Sequence, residues 1–269
     1  MVNNKTTLDL SKVKFDIILQ AGQSNAEGCG RGEVECEYAP TDDILYLNNE
    51  RDVITYDGGM SICYKSLPMV VSVADYRSDG EDKIGDFALT FAQNYKNEYL
   101  APDRKILIIR SAIGGTGFSG GQWKENDTVY RKMREMVELA LSLNPENKVV
   151  ALLWHQGEHD SVWHATSEYY YEKLGFLIDK VRSDYATEDL PFVVADFVNE
   201  WKSKNEECCA PVISAMRKLA LDKGGAFVET LDLPSNNQKV GNGDDIHFCR
   251  NSLAILGGRY FDAYKSIRK

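Results

Sequence analysis

Residues 15–25 form an apolar run that ends in a glycine turn and a serine: Phe15-Asp16-Ile17-Ile18-Leu19-Gln20-Ala21-Gly22-Gln23-Ser24-Asn25. A mostly continuous apolar run is typical of a strand that is buried on both faces of a parallel sheet. A serine directly after such a strand and its turn is placed as an exposed hydroxyl nucleophile would be. We therefore predict that Ser24 follows a core strand and is a candidate nucleophile.

Strand-like runs alternate with helical spacing of apolar residues along the rest of the chain. This alternation predicts a three-layer α/β fold with a mostly parallel central sheet. We predict a single domain over residues 1–269, with an irregular excursion at residues 33–82 that shapes a pocket. The predicted strands are 15–21, 44–47, 105–110, 148–154, 192–197 and 226–229, and the predicted helices are 87–95, 129–140, 169–181, 212–221 and 252–267.

The composition describes a globular, acidic protein. Hydrophobic residues make up 43% of its 269 residues, which is enough for a sizeable core, and the formal net charge is −10. Nucleic acids and anionic membranes select basic surfaces, so neither is an expected partner. The sequence has no apolar run near the roughly 20 residues that span a bilayer, and its start lacks the apolar core of a signal peptide. This pattern predicts a cytoplasmic protein, or a secreted one if a leader has been removed.

Six cysteines occur, and none forms a CxxC pair. A chain of this length does not depend on disulfides, so we predict free, buried or half-buried thiols. No cofactor is predicted.

A candidate base lies near the other end of the chain, in Gly241-Asn242-Gly243-Asp244-Asp245-Ile246-His247-Phe248. In a tight turn, the three-residue spacing allows the Asp244 carboxylate to accept the Nδ1 proton of His247. That bond fixes the tautomer in which Nε2 can accept a proton. Serine needs such a base to act as a nucleophile at neutral pH. The fold has to bring Ser24 and His247 together, because they are far apart in sequence.

The chemically distinctive loops follow predicted strands. Ser24 follows the first strand, Gly114 and Gly115 follow strand 105–110, and Gln156 follows strand 148–154. In open parallel sheets, ligands bind beyond the carboxyl ends of the strands. We therefore expect these loops and the Asp244/His247 loop to converge on one site.

Four blocks of this sequence together resemble the SGNH-hydrolase superfamily, and more closely its sialate O-acetylesterase-like branch, the SASA domain or carbohydrate esterase family 6. The blocks are Gly22-Gln23-Ser24-Asn25, Gly114-Gly115-Thr116, Trp154-His155-Gln156-Gly157-Glu158-His159-Asp160 and Asp244-Asp245-Ile246-His247-Phe248. Ala26 departs from the family pattern, in which methionine is common at this position.

The resemblance implies a flavodoxin-like α/β/α fold and hydrolysis of O-acetyl esters on a sugar by a serine acyl-enzyme mechanism. It makes Ser24 the nucleophile, His247 the base and Asp244 its orienting partner. The oxyanion hole would comprise the N–H of Ser24, that of Gly114 or Gly115, and the amide of Gln156. Fixed donors of this kind stabilise the charge that develops on the carbonyl oxygen. The acetylated sugar itself stays open among sialic acid, xylan, mannan and pectin fragments.

Other side chains are expected around the site. Gln23, Asn25 and Glu158 are candidates to contact the substrate or to support the groups that do, and Glu158 would hold Gln156 or the active histidine. Trp123 is a candidate wall for stacking on a sugar, because an amphipathic ring suits carbohydrate faces.

Alternative interpretations stay open at this point. His155-Gln156-Gly157-Glu158-His159 also fits HxxEH, an inverted zinc-hydrolase motif that requires both histidines on one helical face. Ser24 could instead cap a helix, Gly114-Gly115 could be a flexible loop, and His247 could be a surface residue. A third possible function is non-catalytic carbohydrate binding on the same fold.

Overall fold

A computed structural model describes residues 2–4, 9–48, 51–56, 59–64, 69–185 and 189–268. The strands in these ranges are β1 Val2–Asn4, β2 Lys14–Gly22, β3 Ile44–Asn48, β4 Arg51–Tyr56, β5 Gly59–Tyr64, β6 Met69–Val73, β7 Arg77–Asp79, β8 Asp82–Ile84, β9 Arg104–Ala112, β10 Lys148–His155, β11 Phe192–Ala195 and β12 Ala226–Val228. The helices are α1 Ser24–Glu27, α2 Ala88–Tyr99, α3 Thr128–Leu143, α4 Glu158–Val162, α5 Ser167–Tyr185, α6 Asn199–Lys204, α7 Glu206–Asp222, α8 Asn236–Val240 and α9 Arg250–Ile267, with a 3₁₀ turn at Leu10–Lys12.

The central sheet confirms the predicted α/β class. Among the described residues its strand order is β1-β6-β3-β9-β2-β10-β11-β12. Neighbouring strands run parallel except β3 and β6, which are antiparallel. Gly22, at the end of β2, pairs with Ala112 on β9 and His155 on β10. Three central strands therefore end at the same level, and the loops that follow them emerge side by side.

Helices cover both faces of this sheet and enclose two hydrophobic clusters. Alternate residues of β2 face opposite sides, as the pleat of a strand requires. Ile17 and Leu19 pack in the cluster beneath α3, α5 and α7, whereas Ile18 packs in the cluster beneath α2 and α9. Burial on both sides explains why the strand lacks a polar alternation. None of the described helices combines the length and apolarity needed to cross a bilayer.

The predicted strands and helices all occur, with shifted ends. The largest shift is in α7, which begins at Glu206 rather than at residue 212 and contains Pro211. Proline removes one helical N–H donor and crowds the carbonyl four residues earlier. The helix nevertheless continues, because a buried stripe that includes Cys209, Val212, Met216 and Leu219 runs through it. The sequence patterns did not predict the short helices or the hairpins β4–β5 and β7–β8.

The predicted excursion at residues 33–82 contains β3 to β7, and residues 49–50, 57–58 and 65–68 of it lie outside the described ranges. Cys29, Cys36, Cys63, Cys208, Cys209 and Cys249 are all free thiols, as predicted, but Cys36 and Cys63 are exposed.

Candidate active site

Ser24 lies at the carboxyl end of β2, as the first residue of α1, and is 7% exposed. Gly22 makes the turn before it. This glycine has φ of +143°, and a Cβ at this position would lie 2.0 Å from the carbonyl oxygen of His155. A larger residue would therefore separate β2 from β10. Gln23, rather than Ser24, is the N-cap of α1, so the Ser24 hydroxyl does not cap this helix.

His247 and Asp244 form a hydrogen-bonded pair. Nδ1 of His247 lies 2.8 Å from Oδ1 and 2.9 Å from Oδ2 of Asp244. Asn236 Nδ2 also donates to Asp244 Oδ2, at 2.9 Å. Partial burial alone would raise the pKa of Asp244, but the bonds from His247 and Asn236 outweigh it, so this pKa lies below its usual value. An ionised Asp244 holds the proton on Nδ1 and leaves Nε2 as an acceptor.

Asn25 connects the Ser24 segment to the His247 loop. Its Nδ2 donates to the carbonyl oxygen of Ile246 at 3.1 Å, and its Oδ1 accepts the backbone N–H of Phe248 at 3.1 Å. The chain neighbour of Ser24 is thus bonded to both residues that flank His247. The segments that carry the candidate nucleophile and base therefore lie against each other.

A cleft of about 470 Å³ opens beside this histidine. Strand β7, from the predicted excursion, and strand β8, which follows it, form part of its wall. The lining residues are Cys29, Arg31, Arg77, Ser78, Asp79, Ile84, Asp244 and His247. A second cavity, of about 510 Å³, lies along α6 and α7, and none of the predicted site residues lines it. We take the first cleft as the candidate active site because it contains the base.

The doubled glycine lies next to Ser24. A Cβ on Gly114 would be 3.4 Å from Ser24 Cβ. The Gly114 N–H, however, donates to Glu27 Oε2 at 2.8 Å. Arg51 donates to the other oxygen of this carboxylate at 2.6 Å. Gly114 therefore uses its N–H to anchor the loop to α1, whereas Gly115 is exposed and has φ of +71°.

Gln156 does not face the cleft, contrary to the expected oxyanion role. It is wholly buried, and its Nε2 lies 2.7 Å from Asp160 Oδ2 and 3.2 Å from both Thr116 O and Gln23 Oε1. Its Oε1 accepts a bond from the Tyr170 hydroxyl at 3.0 Å. An amide has two N–H protons, and three buried acceptors already compete for them. Gln156 acts inside the protein, where it joins three loops.

Gln23 is oriented by these same contacts. Its Oε1 accepts from Gln156 Nε2 and from the backbone N–H of His159, both at 3.2 Å. Because the oxygen is held by two donors, the NH₂ group of Gln23 points the other way. Gln23 is 3% exposed and immediately precedes Ser24.

Trp123 does not line the cleft, so its predicted stacking role is wrong. It is 1% exposed and packs edge-on against Trp154, with ring centroids 4.9 Å apart. Its indole N–H donates to Thr116 Oγ1 at 3.0 Å. Adjacent glycines suggested an open loop, but the ring fills the core beneath it.

Glu158 is the first residue of α4 and is 1% exposed. Its Oε1 accepts the Asn25 amide N–H at 2.8 Å, and its buried Oε2 has no hydrogen-bond partner. Burial raises the pKa of this carboxyl, although the bond from Asn25 opposes the shift. The expectation that Glu158 supports the site is consistent with this contact.

The geometry does not fit the zinc motif. His155 ends strand β10 and His159 lies in helix α4, so they do not share one helical face. His155 is wholly buried with Nδ1 3.1 Å from the Tyr260 hydroxyl, and burial lowers its pKa to about 3. Among the described residues, no group of three or more His, Cys, Asp or Glu side chains is arranged to hold a metal ion.

Sequence reasoning missed several residues that build this site. Asp160 joins the Gln156 loop to the glycine loop, Glu27 anchors Gly114, and Asn236 supports Asp244. Asp160 is the last residue of the block Trp154–Asp160 that resembles the family, so its position in the sequence could have pointed to a role. Glu27 acts through Gly114, which is distant in sequence, and no local motif marks Asn236, although it lies only eight residues from Asp244.

Comparison with known proteins places the chain in a family. A family model described as carbohydrate esterase, sialic acid-specific acetylesterase, matches residues 14–266. The probable 9-O-acetyl-N-acetylneuraminic acid deacetylase of Escherichia coli (strain K12) is 24% identical over 232 residues, which are 70% of this chain and 68% of that protein.

Solved structures share the fold. The crystal structure of NanS has a TM-score of 0.70 at 18% identity and covers 94% of this chain and 97% of its own. A carbohydrate acetylesterase from Xanthomonas citri has a TM-score of 0.61 at 16% identity, with 94% of this chain and 56% of its own covered. The chain therefore belongs to the carbohydrate esterase, sialic acid-specific acetylesterase family, and it is a carbohydrate acetylesterase, a carboxylic-ester hydrolase.

Proposed function

We propose that the chain removes acetyl groups from a sugar through an acetyl-enzyme formed on Ser24. The Ser24 oxygen attacks the acetyl carbonyl carbon while His247 Nε2 takes the hydroxyl proton. The tetrahedral intermediate collapses, the bond to the sugar oxygen breaks, and His247 gives its proton to that oxygen. Water, deprotonated by His247, then attacks the acetyl-Ser24 ester, and acetate leaves as the hydroxyl of Ser24 regains its proton.

One observation carries this mechanism. Asp244 lies 2.8 Å from the His247 ring, and the loop that holds this pair is bonded to Asn25, the residue next to Ser24. The base and its orienting carboxylate thus line the cleft, and the segment that carries the nucleophile is bonded to their loop. The protonated ring that forms during attack is stabilised by the ionised carboxylate behind it.

For the oxyanion hole, we propose the N–H groups of Ser24 and Gly115 together with the Gln23 amide. The first N–H groups of a helix have no acceptor within it, and Ser24 opens α1. Gly115 is the member of the glycine pair that is exposed. The side-chain donor to the oxyanion is then the NH₂ group of Gln23 rather than that of Gln156. The Gln156 amide bonds the Gln23 oxygen instead, which leaves the Gln23 NH₂ group free to point elsewhere.

Alanine substitution tests the mechanism. Ser24→Ala and His247→Ala should each lower kcat for p-nitrophenyl acetate by at least about 10³-fold with the circular dichroism spectrum unchanged. Ser119→Ala, in the neighbouring glycine loop, is the matched control and should retain activity. Full activity in Ser24→Ala would contradict the assignment. The zinc alternative makes a different prediction, since chelation would abolish the activity and added zinc would restore it.

We further propose an acetylated sialic acid as the substrate. The family description and the relative's name support this choice. The carboxylate of a sialic acid also suits the guanidinium groups of Arg31 and Arg77, which line the cleft and are 34% and 38% exposed. Arg31 pairs with Asp79 and Asp82, whose side chains are 64% and 70% exposed, and such exposed pairs contribute little energy. A substrate carboxylate can therefore compete for Arg31.

Acetate release identifies the substrate. O-acetylated sialic acid, acetylxylan, acetylated mannan and acetylated pectin fragments are compared at equal ester concentration. We expect kcat/KM for the sialic acid to exceed the others at least tenfold, and a preference for xylan would reject this substrate. Residues 1–269 are proposed to act as one domain, which is supported by the family match over 14–266 and by the single central sheet.

A further inference from the structure

The Asn25 side chain holds the backbone on both sides of His247. Its amide donates to the carbonyl oxygen of Ile246 and accepts the N–H of Phe248, each at 3.1 Å. The side chain is wholly buried. A loop held through the residues before and after the histidine cannot shift along or away from α1 without breaking one of these bonds.

The hydrogen-bond partners of Asn25 fix which way its amide points. A carbonyl oxygen only accepts and a backbone N–H only donates, and Glu158 Oε1 lies 2.8 Å from Asn25 Nδ2. The NH₂ group must therefore face Glu158 and the Ile246 carbonyl, which leaves Oδ1 for the Phe248 N–H. A flipped amide would point NH₂ at another N–H and lose all three bonds. The orientation is thus determined by buried partners from two other parts of the chain.

We propose that Asn25 is a positioning residue that sets the distance between the Ser24 hydroxyl and the His247 ring. Glu158 helps to fix the orientation of the Asn25 amide. This inference rests on the proposed roles of Ser24 and His247. The link is short, because Asn25 follows Ser24 in α1 and its side chain bonds the residues adjacent to His247. Proton transfer depends steeply on such distances, and a displacement of about 1 Å can cost about 10²-fold in rate.

A matched pair of variants separates positioning from general stability. Asn147 is also a buried asparagine that bonds two backbone groups, Phe15 N–H at 2.6 Å and Ala140 O at 2.7 Å. It precedes β10, at the edge of the sheet opposite the site. Asn25→Ala and Asn147→Ala should both lower the melting temperature. At a temperature where both are folded, Asn25→Ala should lower kcat at least about 50-fold with KM within twofold, whereas Asn147→Ala should keep kcat within twofold.

Exchanging the amide and the carboxylate between positions 25 and 158 tests whether activity can be rescued. Asn25→Asp still accepts from Phe248 but places a carboxylate oxygen against both Glu158 and the carbonyl oxygen of Ile246, so we expect kcat to fall at least about 100-fold. Adding Glu158→Gln supplies an amide that donates to the new carboxylate. The double variant should recover at least about tenfold in kcat over Asn25→Asp, and Glu158→Gln alone completes the cycle.

The outcomes distinguish this inference from the mechanism beneath it. If Ser24→Ala and His247→Ala are inactive but Asn25→Ala keeps kcat within threefold of wild type, the positioning role is rejected and the mechanism stands. The role is also rejected if the double variant is no more active than Asn25→Asp. If Ser24→Ala is active, the mechanism itself is wrong.

Discussion

The Asp160 carboxylate lies 2.7 Å from the Gln156 amide nitrogen, at a point where no solvent reaches either side chain. Asp160 also accepts the backbone N–H groups of Phe118 and Ser119, at 3.0 and 2.7 Å. One buried carboxylate therefore ties the loop after β9 to the loop after β10. This tie holds Gln156 against Gln23 and away from the cleft.

Removing that carboxylate should destabilise the protein. Asp160→Ala leaves the backbone N–H groups of Phe118 and Ser119 without their acceptor and removes one of the three acceptors of the Gln156 amide, so we expect the free energy of unfolding to fall by about 3 kcal/mol. Asp160→Asn keeps one acceptor oxygen and should lose less. Urea unfolding followed by tryptophan fluorescence measures both. Equal stability of Asp160→Ala and wild type would show that this tie contributes nothing.

The orienting role of Asp244 predicts a loss of rate without a loss of fold. Its lowered pKa keeps the carboxylate ionised at neutral pH, and an asparagine removes the charge that stabilises the protonated ring. Asp244→Asn should lower kcat about 10³–10⁴-fold. The adjacent Asp245, which pairs instead with Lys204 at 2.7 Å, provides the control: Asp245→Asn should stay active, and equal losses in both variants would contradict a specific role for Asp244.

The oxyanion assignment predicts a kcat effect at Gln23. Gln23→Ala removes a donor that acts on the charge developing in the transition state, so kcat should fall about 10²–10³-fold while KM changes little. Steady-state kinetics with p-nitrophenyl acetate measures this split. A rise in KM with kcat unchanged would instead assign Gln23 to substrate binding.

The buried position of Trp123 predicts that its substitution affects stability rather than substrate affinity. Trp123→Phe keeps an aromatic ring in the core but removes the bond to Thr116 Oγ1. We expect a loss of about 1 kcal/mol in the free energy of unfolding and an unchanged KM for the acetylated sugar. A several-fold rise in KM in the folded variant would restore the stacking role.

The burial of His155 predicts that the free energy of unfolding decreases in acid. Its pKa is about 3 in the folded protein and near 6.5 when unfolded. The unfolded chain therefore binds the proton more readily, so this contribution is fully present above pH 6.5 and is lost as the pH falls toward 3. His155→Gln removes the titration. From pH 7 to pH 5, the free energy of unfolding of the wild type should fall by about 2 kcal/mol relative to that of the variant, at 1.36 kcal/mol per pH unit. A difference that stays constant over this range would contradict the prediction.

Local patterns were sufficient to predict the sheet and the convergence of loops. Continuous apolar runs such as 15–21 and 105–110 predicted central strands, and β2 and β9 contain them. Because parallel strands end at one edge, the sequence predicts that Ser24, Gly114 and Gln156 are neighbours. The three-residue spacing of Asp244 and His247 was likewise local, and it corresponds to the observed 2.8 Å contact.

The sequence by itself determined the order of strands and helices, the family and the set of candidate side chains, since these depend on periodicity and on short motifs. Only the tertiary structure decided how those side chains are used. Gln23 and Gln156 are chemically identical, but Asp160, Thr116 and Tyr170 surround Gln156 and occupy its amide. Trp123 adjoins a glycine loop in the chain and lies in the core in space. The direction of an amide or a ring depends on donors and acceptors brought in from distant segments, and no local pattern of residues encodes them.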